Sequence, residues 1–158
     1  MSDRSAALRA VPLLRDFTEV GIRLLGEATA ERSVGQGTYA FRAGEPSQAL
    51  SFLAKGTLQL LPRDGGAPLG EITAGDTLGG LALLSSGEHL LSALAATDVE
   101  LLELSRTSFD ELQKSRPRLC LKLTLALAHD LAERLRDAKG PLREFLIWQV
   151  SRRPPEGR

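Results

Sequence analysis

The chain has 158 residues, of which 42% are hydrophobic and 25% charged, a composition typical of an ordinary globular domain. Twenty basic and twenty acidic side chains cancel, so no global field favours nucleic acid or an anionic membrane surface. The sequence lacks a signal-peptide core, an apolar run of about 20 residues and a Cys/His cluster with metal-ligand spacing, and its single cysteine cannot form an internal disulfide. A cytoplasmic protein is therefore expected.

The first of three differently patterned regions, residues 5–31, is predicted to be helical. Apolar residues from Leu8 to Phe17 recur at helical spacing, and Pro12 is expected to begin or kink a turn. Thr18 is a suitable N-cap for a second helical segment.

The second region, residues 32–104, carries frequent glycines separated by short apolar or alternating runs. Turn signals at roughly 8–12-residue spacing favour a barrel or sandwich of many short strands. Gly65 and Gly66 in "RDGGAP" predict a hairpin turn, because glycine adopts the positive φ angles that such turns need. The strands lie too close together in sequence for crossover helices, so the sheet is predicted to be antiparallel.

The third region, residues 106–139, is predicted to be helical again. A short helix in "SRTSFDELQKS" is expected to be capped by Thr107 or Ser108, and a long helix is expected to begin at Pro117. Residues 140–158 are predicted to form a short helical extension, "LREFLIWQV", followed by a disordered, proline-rich tail.

The long helix carries two apolar rows. One has a/d spacing and consists of Leu121, Leu125, Ala128, Ala132 and Leu135. The other has four-residue spacing and consists of Leu119, Leu123, Leu127 and Leu131. If one row packs on the β region, the other needs a partner, and the a/d row is predicted to form a homodimer. In the alternative, both rows pack within the chain, aided by the following "FLIW" segment.

Three stretches of this sequence resemble the cyclic-nucleotide-binding domains of catabolite-activator-type regulators and of protein kinase A regulatory subunits. "GTYAFRAGEPSQALSFLAKGTLQL" resembles the early strands of that family. "AGDTLGGLALLSSGEHLLSALAATDVELLEL" resembles its phosphate-binding cassette and the two following strands, and "SRTSFDELQKSRPRLCLKL" resembles its closing helices. The resemblance implies an α+β, mainly β fold over residues 5–139: an antiparallel β-roll or jelly roll with N-terminal helices and a long C-terminal helix.

The resemblance also implies where a ligand pocket would lie. In members that bind, the amides of a short helix face the cyclic phosphate, a glutamate after the glycine binds the ribose 2′-hydroxyl, and a later arginine pairs with the phosphate. The matching positions here are Gly79, Gly80, Leu81, Ala82, His89, Leu91 and Ser92. Gly80 stands where the glutamate is expected, and Leu91 stands where the arginine is expected. Useful binding of cyclic AMP or cyclic GMP is therefore not expected.

A substitute for the missing arginine is not indicated by the sequence. His89 would share a face with Leu91 on an alternating strand, but a neutral imidazole is a poor phosphate anchor, and a solvated loop histidine is the simpler interpretation. Arg42 and Lys55 lie on other predicted strands, and the sequence does not place them in the pocket.

Other chemistry is weakly signalled. His129 near two acidic residues is interpreted as part of a helix face, and Cys120 among leucines as structural. Ser85 and Ser86 lack the setting of a hydrolase nucleophile. We expect no catalytic site, no cofactor and no metal. The nineteen residues after Lys139 are too few for the helix-turn-helix domain that family regulators add, so no DNA partner is expected.

Two functional hypotheses follow. The first is a non-catalytic regulatory module that binds a second copy of itself and another protein of unknown identity. The second is a small-molecule sensor whose pocket has been altered for a cyclic nucleotide or a related ligand.

Overall fold

The computed structural model describes residues 3–141 and 143–144. The N-terminal elements are α1 (Arg4–Arg9), a 3₁₀ turn (Pro12–Leu14) and α2 (Glu19–Ala28). The strands are β1 (Ala30–Val34), β2 (Tyr39–Phe41), β3 (Ala49–Lys55), β4 (Thr57–Leu61), β5 (Gly70–Thr73), β6 (Thr77–Leu78), β7 (Ser92–Ala95) and β8 (Val99–Ser105). The other helices are α3 (Leu81–Leu84), between β6 and β7, and α4 (Arg106–Ser115) and α5 (Pro117–Asp137), after β8.

The strands form two four-stranded antiparallel sheets, ordered β1-β8-β3-β6 and β2-β7-β4-β5. The predicted antiparallel roll is confirmed. The hairpin that joins β4 to β5 contains Gly65 and Gly66, whose φ angles of 81° and 112° lie in the region that favours glycine. The short strands follow from the frequent glycine turns seen in the sequence.

Two apolar cores lie on opposite faces of the β1-β8-β3-β6 sheet. Leu50 and Phe52 of β3 face a cluster that includes the inward residues of the helices, whereas Leu53 faces the cluster shared with the other sheet. Strand β8 is also buried on both sides, since Leu101 and Leu102 belong to different clusters. These two central strands carry neighbouring apolar residues because both of their faces are covered.

The N-terminal helices end earlier than predicted. Thr18 caps α2 as expected, its hydroxyl accepting a hydrogen bond from the Gly21 amide at 3.1 Å. However, α2 ends at Ala28, and β1 begins inside the stretch 5–31 that was predicted to be helical. Residues 30–34 pair with β8 along their whole length, a contact far away in sequence that local periodicity does not reveal.

In the C-terminal helices, one predicted detail is wrong and another is confirmed. Ser105 caps α4, its hydroxyl accepting from the Ser108 amide at 3.0 Å, so the caps predicted at Thr107 or Ser108 are wrong. Helix α5 begins at Pro117 as predicted. Most of the predicted extension and tail over residues 140–158 lies outside the described residues. Among residues 3–141 and 143–144, no helix combines the length and apolar character that crossing a membrane requires.

Candidate ligand-binding site

A cavity of about 230 Å³ opens between the cassette loop (residues 75–95) and α5; we call it the cassette cavity. The roll contributes Phe41, Ser47, Leu60, Thr77, Leu78, Gly79, Gly80, Leu81, Leu84, Glu88, His89, Leu90, Leu91 and Ala93 to its wall. Helix α5 contributes Leu127, Asp130, Leu131 and Arg134. The described wall is therefore mainly apolar and is shared by the two parts of the fold.

The two cassette glycines are required for different reasons. Gly79 has a φ of 73°, and a Cβ placed there would lie 2.5 Å from the Ala49 carbonyl oxygen. Gly80 has an ordinary helical φ of −55°, but a Cβ placed there would lie 3.0 Å from Leu127 Cδ2. Backbone geometry therefore calls for glycine at position 79, whereas the close approach of α5 favours it at position 80.

His89 lies on the cavity wall and is not a solvated loop residue. Its ring centroid lies 4.5 Å from that of Phe41, and its amide and carbonyl hydrogen-bond with the turn at Gly44 and Glu45. Burial lowers the pKa of His89, Arg32 adds to the effect, and Glu45 and Glu103 oppose it. The imidazole is therefore neutral at pH 7 and provides one donor and one acceptor.

Leu91 also lines the cavity, where it is half-buried and packs against the core between the two sheets. Strand β7 begins only at Ser92, so the strand alternation expected to place His89 and Leu91 on one face does not apply. Both side chains nevertheless reach the same cavity.

Two of the predicted pocket residues do not line the cavity. Ser92 directs its hydroxyl to the Ala43 amide, from which it accepts a hydrogen bond at 2.9 Å. Ala82 is only 1% exposed and lies on the buried side of the short helix α3. Gly79, Gly80 and Leu81 lie on the wall as predicted.

The contribution of α5 to the cavity is absent from the sequence-based prediction. Arg134 hydrogen-bonds to Asp130 at 2.7 Å and lies 3.5 Å from the Thr77 hydroxyl. Leu127 and Leu131 belong to the four-residue row noted in the sequence. That spacing was the available signal, but the sequence did not show that the row reaches the cassette.

The other basic residues considered as substitutes lie elsewhere. The Arg42 guanidinium stacks 4.0 Å from the centre of the Tyr39 ring, and Lys55 lies 3.8 Å from Glu100. Among the described residues of the cavity wall, the one guanidinium is that of Arg134, and it is already paired with Asp130. Neither Arg42 nor Lys55 lines the cassette cavity.

The two apolar rows of α5 have different surroundings. Leu123 and Leu127 are buried in the core with the other helices, and Leu119 packs against it. Leu121 and Leu125 are 59% and 62% exposed. Ala128 and Ala132 are exposed and Leu135 is half-buried. We call Leu121, Leu125, Ala128, Ala132 and Leu135 the exposed stripe.

The remaining candidates for chemistry occupy ordinary positions. His129 is exposed on α5, 3.8 Å from Glu133. Cys120 is buried, and burial raises the pKa of its thiol, which disfavours the reactive thiolate. Within the described part of the chain, no group of three or more His, Cys, Asp or Glu side chains is arranged to hold a metal ion.

Comparison with known families places this fold. The profile of the cyclic nucleotide-binding domain matches residues 31–116, more than half of the chain. The chain belongs to the cyclic nucleotide-binding domain family, as the cassette and the roll had suggested.

Two relatives illustrate the proteins that this chain is similar to. An uncharacterized NTE family protein of Mycobacterium bovis is 25% identical over 150 residues, which cover 95% of this chain and 25% of the relative. The cyclic AMP receptor protein of Thermus thermophilus is 30% identical over 129 residues, 80% of this chain and 60% of that protein. The chain thus spans about a quarter of the length of its mycobacterial relative.

Solved structures support the same fold. One neighbour is a mutant regulatory subunit of a cAMP-independent protein kinase A from Trypanosoma brucei. It has a TM-score of 0.72 and 21% identity, over 94% of this chain and 51% of that one. At 21% identity, this similarity establishes the fold alone.

Proposed function

We propose that this chain is a non-catalytic, cytoplasmic regulatory and protein-interaction module that does not bind cyclic AMP or cyclic GMP with useful affinity. The observation that carries the proposal is the pair Gly80 and Leu91. By resemblance to the family, they occupy the positions of the glutamate that binds the ribose and the arginine that binds the phosphate.

The size of the expected loss follows from the strength of such contacts. A hydrogen bond to a charged group contributes roughly 1.5–3 kcal/mol, so losing two such contacts removes about 3–6 kcal/mol. At about 1.4 kcal/mol per decade, affinity falls by roughly 10²- to 10⁴-fold. Leu91 adds to the loss because it would set an apolar side chain against an anion that must shed its water.

Contacts around the cassette support the proposal. A Cβ at position 80 would lie 3.0 Å from Leu127 Cδ2, so a glutamate there requires the leucine side chain to shift. The guanidinium of Arg134 is held by Asp130 on the same helix. In this proposal the site lacks two side chains that would bind the nucleotide. Leu127 approaches position 80, and Asp130 pairs with the one guanidinium on the described wall.

A structural neighbour provides a precedent. The Trypanosoma brucei subunit belongs to a cAMP-independent protein kinase A, and a triple mutant of it, with glutamate to alanine, threonine to arginine and valine to alanine changes, is bound to cAMP in its A site. We infer by analogy that the fold can persist in a regulator that does not depend on cyclic AMP, and that a few substitutions can accompany binding.

Calorimetric titration of the full chain with cyclic AMP and cyclic GMP tests the proposal. We expect no saturable heat at micromolar nucleotide. Saturable binding in that range would overturn the proposal.

A restored variant tests the physical reason for the loss. Gly80→Glu with Leu91→Arg returns both ligands, and Leu127→Ala makes room for the new side chain. We expect the triple variant to bind cyclic AMP saturably, and Leu127→Ala alone to show no saturable binding. A folded triple variant that also stays silent would contradict the claim that these two side chains account for the loss.

We also propose that the exposed stripe forms a homodimer contact. Its a/d spacing, its exposed leucines and the small residues at two positions favour close helix packing. Light scattering at tens of micromolar should give twice the 17.0 kDa chain mass. A clean monomer would exclude this contact.

A second candidate function, a small-molecule sensor, is favoured by one observation. The cassette cavity is open and mainly apolar, although the ligands for a cyclic nucleotide are missing.

A further inference from the structure

We propose that the cassette cavity binds an uncharged, largely apolar molecule of one or two rings that carries a single hydrogen-bonding group. The inference rests on the proposed function, because it assumes that cyclic nucleotides do not occupy the site. It identifies the class of ligand that the remaining residues fit.

The size of the cavity sets the size of the ligand. Its volume of about 230 Å³ exceeds the roughly 150 Å³ of an engineered apolar cavity that admits benzene. It falls below the roughly 300–1,000 Å³ typical of pockets for drug-sized ligands. A molecule of one or two fused rings therefore fits better than a nucleotide.

Exposed leucines at the opening supply the driving force. Leu81, Leu84, Leu90 and Leu131 are each between 38% and 44% exposed, and all four line the cavity. Deeper in the cavity, Leu78 and Leu91 pack against the core between the sheets. An apolar guest would remove this surface from water, at roughly 25 cal/mol for each Å² covered.

The charges around the cavity disfavour an anion. Asp130 holds Arg134 at 2.7 Å, so that guanidinium is already neutralised. Glu88 also lines the cavity, and its partner Arg63 lies 3.6 Å away. The described wall therefore carries two carboxylates and one guanidinium, and a negatively charged guest would meet no uncompensated cation.

Neutral polar groups remain available to orient a guest. The hydroxyls of Ser47 and Thr77 and the imidazole of His89 all lie on the wall. A hydroxyl accepts or donates, and a neutral imidazole does both through its two nitrogens. One hydrogen-bonding group on an otherwise apolar molecule can therefore be satisfied.

A matched set of probes tests the inference on the full chain: 2-naphthol, 2-naphthoate and cyclic AMP, each titrated by calorimetry at pH 7. The two naphthalene probes share a ring system and differ mainly in charge. We expect saturable one-to-one binding of 2-naphthol with a dissociation constant in the range of roughly 10–500 µM. We expect 2-naphthoate to bind at least about tenfold more weakly, a difference of about 1.4 kcal/mol.

Two exposed apolar residues provide the matched variants. Leu131→Gln changes a residue on the cavity wall, whereas Val20→Gln changes an exposed residue of α2 outside both the cavity and the exposed stripe. We expect the first to weaken 2-naphthol binding by about fivefold or more, and the second to change it by less than about twofold.

The outcomes separate the two proposals. Absence of 2-naphthol binding, equal or tighter binding of 2-naphthoate, or equal losses in both variants would each overturn this inference. Micromolar binding of cyclic AMP would overturn the proposed function. If both 2-naphthol and cyclic AMP fail to bind, the inference falls and the proposed function stands.

Discussion

Position 80 shows how a single residue connects the cassette to the long helix. Its backbone is helical, so a side chain there would not strain the φ angle. Because Gly80 has no side chain, Leu127 Cδ2 can approach it closely. A Cβ built at position 80 would lie 3.0 Å from that atom. The glycine at position 80 therefore allows a close contact between the cassette and α5.

Gly79 should be far less tolerant of substitution than a glycine in open space. Gly79→Ala combines an unfavourable φ with a clash against the Ala49 carbonyl, so we expect the free energy of unfolding to fall by about 2–5 kcal/mol. Gly37 has a similar φ but no heavy atom near its added Cβ, and Gly37→Ala should cost about 1–2 kcal/mol. Urea denaturation measures both; equal losses would contradict the role assigned to the Ala49 contact.

His89 should make stability depend on pH. Its pKa in the folded state is below the reference value of 6.5, so between the two values the unfolded chain binds more protons. Stability contributed by neutral His89 is therefore complete above pH 6.5 and is lost as the pH falls toward the lower folded pKa. We expect His89→Gln to reduce the loss of unfolding free energy between pH 7 and the acid side of this window.

His129→Gln is the control for that measurement, because His129 is the other histidine of the chain and is exposed on α5. If both variants show the same decline as the unchanged protein, burial of His89 does not control stability in this range.

At the scale of elements, α5 serves two surfaces. Its inward row closes the helical core and reaches the cassette cavity, while the exposed stripe faces away from that core. The a/d and four-residue spacings predicted both rows from the sequence. They did not reveal which row would be buried, because that choice depends on how α5 docks against the roll.

The exposed stripe should carry the dimer contact. Leu121→Glu with Leu125→Glu places two carboxylates on it, and the mass measured by light scattering should fall from two chains to one. Val20→Glu is a suitable control, since Val20 is 56% exposed but lies on α2. If the double variant is still a dimer, the dimer contact does not lie on the exposed stripe.

At the scale of the whole molecule, the roll was predictable and the cavity was only partly so. Glycines such as Gly65 and Gly66 fix turns locally, so the short antiparallel strands between such turns could be recognised. The start of β1 could not, because it depends on pairing with β8 some seventy residues away. The wall from α5 was missed for the same reason: Leu127 and Gly80 meet only after the chain has folded.

The fold identifies the family of this chain, but it does not identify the ligand. The match over residues 31–116 establishes the family, whereas the ligand depends on a few side chains within it. In the proposed function, Gly80 and Leu91 stand where the resemblance expects the glutamate and the arginine that bind the nucleotide.

Titration of the isotope-labelled protein with cyclic AMP, observed in ¹H–¹⁵N correlation spectra, tests the central claim most directly. The amide signals of Gly79, Gly80 and Leu91 report on the cassette itself. A loss of roughly 10²- to 10⁴-fold from micromolar affinity would place the dissociation constant at roughly 0.1–10 mM, so we predict that these signals show no saturation at micromolar cyclic AMP. Saturable shifts of these amides at micromolar cyclic AMP would contradict the account.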